Sequence, residues 1–148
     1  MSGSVPVSSV DIRVFVHATE DIDKVSKAVT TILPQQHVDD IILMRENLRG
    51  HHGNPITLLK AKIKAKHMAE SFTRNLASKL MLSDKATLQM AIDRYVDESG
   101  KMYLRIDKQF AYFGEVHLCN EDPIHVQIKL NTSQKSIEEI CRELGFLQ

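Results

Sequence analysis

Lys60, Lys62, Lys64 and Lys66 recur at every second position. On an extended strand their ammonium groups project from one face at intervals of about 6.6 Å. Such a comb can follow a phosphate backbone, since four like charges side by side repel one another unless an anion lies across them. Lys on an exposed strand is also a guard against edge-to-edge aggregation, so the comb has a purely structural explanation as well. Just before it, Arg45, Arg49, Gly50, His51, His52, Gly53 and Asn54 make a segment with two glycines. Backbone N–H groups can approach a phosphate there, and imidazoles can stack on bases; a plain glycine turn with solvated histidines is the alternative. Arg94, Lys101, Arg105, Lys108 and Gln109, with Tyr103, Tyr112 and Phe113, supply a second basic and aromatic group suited to stacking and phosphate contact, unless the aromatics serve the core.

His117, Cys119 and His125 are metal-ligand types close in sequence. If Asn120 to Pro123 is a hairpin loop, however, His125 falls on the other face from His117 and Cys119. His51 and His52 are adjacent and lack the spacing of a metalloprotease helix. The chain has no P-loop, dinucleotide fingerprint or nucleophile elbow. Asp93, Asp97, Asp107 and Asp122 could gather two metal ions for nucleic-acid hydrolysis, but nothing in their spacing selects them. The residues therefore predict no catalytic group, no metal and no cofactor.

The 19 Lys and Arg residues balance 19 Asp and Glu, which argues against a uniformly basic nucleic-acid coat. The cations are concentrated all the same. Between Arg45 and Lys85 there are nine against three acids, an electrical polarity that solubility alone does not require. No apolar run approaches the ~18 residues of a bilayer span, and residues 1–9 lack the pattern of a signal peptide. Cys119 and Cys141 then read as reduced, buried small hydrophobes, and the expected location is the cytoplasm.

These side chains must be held by an ordinary globular core. After a flexible tail over 1–9, residues 10–148 read as a single α+β domain. Val10, Ile12, Val14 and Val16 alternate with polar neighbours and predict a strand. Thr19 is a candidate N-cap for a helix that Pro34 ends. Residues 38–46 predict a second strand. For 56–65 a helix competes on propensity, and alternation favours a strand that hands over to a helix near Lys66. Ser83 is a candidate cap for a short helical turn. Residues 92–96 and 102–106 predict a hairpin across Asp97 to Gly100, and 107–113 a helical turn closed by Gly114. A second hairpin is expected through Asn120 to Pro123, and a last helix from the capping-box pair Ser136 and Glu139. This order predicts a curved, mostly antiparallel sheet with helices packed on one face and the other face open.

The chain from His17-Ala18-Thr19-Glu20 through Gly50-His51-His52-Gly53-Asn54-Pro55, Tyr103-Leu104-Arg105-Ile106-Asp107-Lys108-Gln109 and Asp122-Pro123-Ile124 resembles a family of small archaeal RNA-binding proteins described as predicted exosome-associated subunits. The resemblance implies a fold similar to the ribosomal protein that binds the smallest RNA of the large subunit. It also implies a role in RNA processing, with exosome or ribosomal components as partners. The expectation is a non-catalytic RNA-binding protein using Arg45, Arg49, His51, His52, Asn54, Lys60, Lys62, Lys64, Lys66, Arg105, Lys108 and Gln109. The rivals are a protein-interaction module or homodimer that docks through the open sheet face, and a metal-dependent nuclease.

Overall fold

The computed structural model describes residues 5–50 and 52–148. β1 (Val7–His17) lies at the centre of a five-stranded sheet. β3 (Pro55–Ile63) and β5 (Ile124–Leu130) flank it, with β2 (Met44–Arg49) and β4 (Lys101–Ile106) outside them. Every pairing is antiparallel. Val10, Ile12, Val14 and Val16 of β1 are buried, as are Leu59, Ala61 and Ile63 of β3, Met102, Leu104 and Ile106 of β4, and Val126 and Ile128 of β5. This apolar face is covered by α1 (Ile22–Ile32), α2 (Lys66–Lys79) and α5 (Ile137–Leu144). Val29, Phe72, Leu76 and Ile140 join the strand residues in one core. α3 (Leu82–Met90) and the short α4 (Lys108–Tyr112) add Leu88 and Ala111 to it.

The α+β expectation holds, and residues 55–63 are strand rather than helix. Ser136 and Glu139 form the capping box, and Gly145 ends α5 in the left-handed conformation, φ 101°, that its position demands. Elsewhere the elements shift. β1 begins at Val7, so three residues assigned to the tail are sheet. The N-cap of α1 is Asp21, which accepts from the Asp23 N–H, and not Thr19. α3 starts from Met81 without a side-chain cap, so Ser83 lies inside it.

The second strand is displaced from 38–46 to Met44–Arg49, after a 3₁₀ helix over Gln35–Asp40. The cause is packing: Val38, Ile41 and Leu43 rest against the core before the chain reaches the sheet edge. Neither predicted hairpin forms in full. Ile92 and Val96 are four apart, and the Val96 N–H donates to the Ile92 carbonyl in a helical turn, leaving one bridge, Val96 to Met102. Residues 116–119 do not pair with β5; Leu118 bridges Ile106 on the outer side of β4. Both ends of the outer edge of β4 are thereby covered, whereas β2 is an exposed edge.

Candidate nucleic-acid interface

Antiparallel register decides which side chains share a face, because directly opposed residues point the same way. On the face away from the helices, Lys60 stands opposite Arg13, Arg13 opposite His125, and His125 opposite Arg105, one row across four strands. The next row runs Lys62, Asp11, Gln127, Tyr103. At the far end Lys129 stands opposite Lys101. On this face six cations (Arg13, Lys60, Lys62, Lys101, Arg105, Lys129) thus meet two carboxylates, Asp11 and Glu46. Glu46 is tied to Lys60 at 2.9 Å. The other five cations make no ion pair among the described residues. Like charges placed directly opposite weaken a sheet by a few tenths of a kcal/mol or more, so Lys101 beside Lys129 is a cost the fold itself does not explain.

Arg13, Arg105 and His125 meet Arg94, Tyr103 and Gln127 around a shallow depression in this face. Burial lowers the proton affinity of the His125 imidazole, and the charges of Arg105 and Arg13 lower it further against the opposing pull of Asp122. The imidazole therefore registers a locally positive field.

The predicted site residues are divided by the fold. Lys60 and Lys62 lie on the open face; Lys64 is in the link after β3, and Lys66 is the first residue of α2. Half of the comb is lost because the strand stops at Ile63. Arg45 stands opposite Leu59 and Arg49 opposite Pro55, so both share the helix-side face of the sheet, away from the comb. His52 and Asn54 are exposed in the β2–β3 turn, which is closed by the Gly50 N–H donating to the Asn54 carbonyl and carries Gly53 at φ 79°. His51 lies outside the described residues. From Pro55 to Lys62 is about 23 Å along a strand, so this turn and the comb are at opposite ends of β3. Arg105 does reach the open face.

Lys108 does not. Its side chain is 10% exposed, and Nζ donates to the Phe15 carbonyl at 2.6 Å, to Glu20 at 3.1 Å and to Asp122 at 2.8 Å. Asp122 also holds His17 Nε2 at 3.0 Å. Burial pushes the Asp122 carboxyl up, but the Lys108 and His17 hydrogen bonds and charges outweigh it and hold the carboxyl below its ordinary range. Gln109 lines a separate groove with Lys24, Tyr112 and Phe113.

The candidate metal trio is dispersed: His117 stacks on Phe110 at 3.8 Å, Cys119 donates to the Glu121 carbonyl, and His125 is on the sheet face. His17, Glu20 and Asp122 do cluster as ligand types, around the Lys108 ammonium. Both cysteines are free thiols. Burial, with the Glu138 charge, pushes Cys141 up to about 11, whereas Cys119 is only partly buried. Lys101 belongs to the second basic group read from the sequence, but Arg13 and Lys129 are not singled out there, and only the register reveals that they and His125 share one face with it.

A model of a family described as RNA binding matches residues 9–130. The chain is 36% identical over 144 residues to the RNA-binding protein PAB1135 of Pyrococcus abyssi, covering 96% of this chain and 94% of that protein. The solved structure of protein AF2318 from Archaeoglobus fulgidus superposes with a TM-score of 0.77 at 32% identity, covering 93% of this chain and 99% of that one. Mth689 from Methanothermobacter thermautotrophicus gives 0.75 at 26% identity, with 97% and 99% covered.

Proposed function

We propose, from the premise that this chain belongs to the RNA-binding family whose model spans residues 9–130, that RNA lies across the open face of the sheet. The observation that carries the reading is the placing of like charges directly opposite each other there, Lys101 by Lys129, with no ion-pair partner for either among the described residues. A phosphodiester chain relieves that repulsion, and Tyr103, 43% exposed among the cations, offers a ring on which a base can stack. Lys62 keeps the role expected of it; Lys108, enclosed by carboxylates, does not belong to the footprint.

The double variant Lys62→Glu with Lys129→Glu tests this. Its affinity for a single-stranded RNA, followed by fluorescence anisotropy across a salt series, should fall at least tenfold at low salt, and the dependence of log K on log salt should flatten by about 1.4. Unchanged affinity and slope would remove the face from RNA recognition.

The protein in this reading holds RNA without cleaving it. The ammonium of Lys108 already bonds Glu20 and Asp122 of the His17, Glu20 and Asp122 cluster, the group of metal-ligand types found among the described residues. RNA incubated with the protein and magnesium should stay intact. An RNA-processing assembly in the cytoplasm, exosomal or ribosomal, is the proposed setting, and crosslinking in cells followed by sequencing of the RNA and the peptide tests it.

A second reading, self-association, has one observation in its favour: β2 is exposed along nearly its whole length and leaves one side of its backbone unpaired. A dimer formed through β2 leaves the open face free; a dimer formed through the open face competes with RNA. Light scattering with and without RNA separates the two.

A further inference from the structure

The depression between Arg13, Arg94 and Arg105 lies on the open face of the sheet. Three strands and a 3₁₀ turn build it. Arg13 comes from β1, His125 from β5 and Arg105 from β4, in one row, while Arg94 ends the 3₁₀ turn over Ile92–Arg94 and reaches in from outside β4. Adjacent strands lie about 4.8 Å apart, so the two guanidinium-bearing strands flank the imidazole about 10 Å from each other. A phosphate group placed above His125 is within reach of both. Gln127 lines the same depression and its amide can donate to a phosphate oxygen, whereas the Tyr103 hydroxyl beside it donates to Asp97. Asp11 is the carboxylate that lines it, one row removed from His125 and opposite Lys62 and Gln127.

We propose that Arg13, Arg94 and Arg105 with His125 at their centre form a subsite for a single phosphodiester of the bound RNA, and that His125 takes up a proton as the phosphate enters. The ligand identity rests on the RNA reading above; the subsite itself rests on the row. With the site empty, the groups facing His125 are mostly cationic: Arg13 from β1, Arg105 from β4, Arg94 from its turn and Lys108 from α4, against Asp11 and Asp122. An incoming phosphate reverses that balance. An imidazole held neutral by burial and by arginines then becomes the fourth cation of the site, and its N–H can donate to a phosphate oxygen. Because the proton is taken up on binding, linkage makes binding tighter as pH falls. A carboxylate that took up a proton would give a dependence of the same sign, so loss of the dependence on replacing His125 is what identifies the imidazole.

The test uses the full chain, a ten-nucleotide oligouridylate and inorganic phosphate. RNA affinity should rise by up to about tenfold from pH 8 to pH 6 in the unaltered protein, the change that a one-unit rise in the His125 pKa gives. His125→Gln should lose most of that rise, whatever its affinity at pH 8. In NMR titrations, inorganic phosphate should move the His125 C2–H signal and shift its titration midpoint upward, an effect that Arg13→Gln and Arg105→Gln each diminish. RNA binding with equal pH profiles in both proteins, and a His125 signal indifferent to phosphate, would overturn the inference while leaving RNA binding intact. Failure of the oligonucleotide to bind at any pH, while phosphate still moves His125, would overturn the RNA reading and keep the anion subsite.

Discussion

Lys108 shows how far a residue's role depends on partners remote in sequence. Its ammonium meets Glu20, 88 positions away, and the carbonyl of Phe15, 93 positions away. Standing beside Arg105 and near Tyr112 in the sequence, it reads as an RNA contact; in the fold it is the pin between β1, the start of α1 and the loop before β5. Lys108→Met should therefore lower stability by about 2 kcal/mol, since two carboxylates and a carbonyl lose their donor, while RNA affinity stays within twofold. Chemical unfolding at neutral pH and RNA titration measure the two effects. Acid should erase part of the difference. The folded Asp122 carboxyl has its proton affinity depressed, so its contribution is present above the unfolded value of ~3.9 and lost as pH falls through the lower folded one. The stability gap between Lys108→Met and the parent should accordingly narrow as the pH falls below that unfolded value.

At the scale of elements, the alternation of β1 and the capping box of α5 were plain because both are local: period two in one case, residues three apart in the other. Ser136→Ala should cost about 1 kcal/mol in unfolding free energy, read from the thermal midpoint. The element order was legible too. Strand adjacency was not, and with it the interface, since Arg13 and His125 are ordinary outward residues until β1 and β5 are known to be neighbours. The misplaced second strand had a different cause, as Ile41 and Leu43 rest against the margin of the core just after the 3₁₀ helix, with Ile42 exposed between them, instead of entering a ladder. The β2 edge that results carries Arg45, Glu46 and Arg49 where an uncharged strand would invite pairing. Arg45→Thr with Arg49→Thr should leave RNA affinity nearly unchanged, because both side chains lie on the helix side of the sheet, and should raise the tendency to associate in light scattering.

Across the whole molecule, neutrality conceals a division. The open sheet face has four more cations than carboxylates, so the remaining chain carries the compensating negative charge. Such a body orients as it approaches a polyanion, turning the open face of the sheet toward it. With Lys60 engaged by Glu46, about five cations remain to meet phosphates, and for single-stranded RNA the log K against log salt slope should lie near −3.5, measurable by anisotropy between about 50 and 200 mM salt. A slope near zero would mean that RNA is held elsewhere or by other forces.

The central place of β1 sets a timetable as well. Its ladders join Val10 to Ile63 on one side and to Ile128 on the other. During synthesis at about 5–20 residues per second, β1 leaves the ribosome several seconds before the strand that completes its second side. For that interval its valines and isoleucine have no finished sheet to enter, and such distant pairings fold slowly even in the released chain. A nascent chain halted before residue 124 should be rapidly digested by protease, and one extended past the ribosome tunnel beyond residue 148 should resist it.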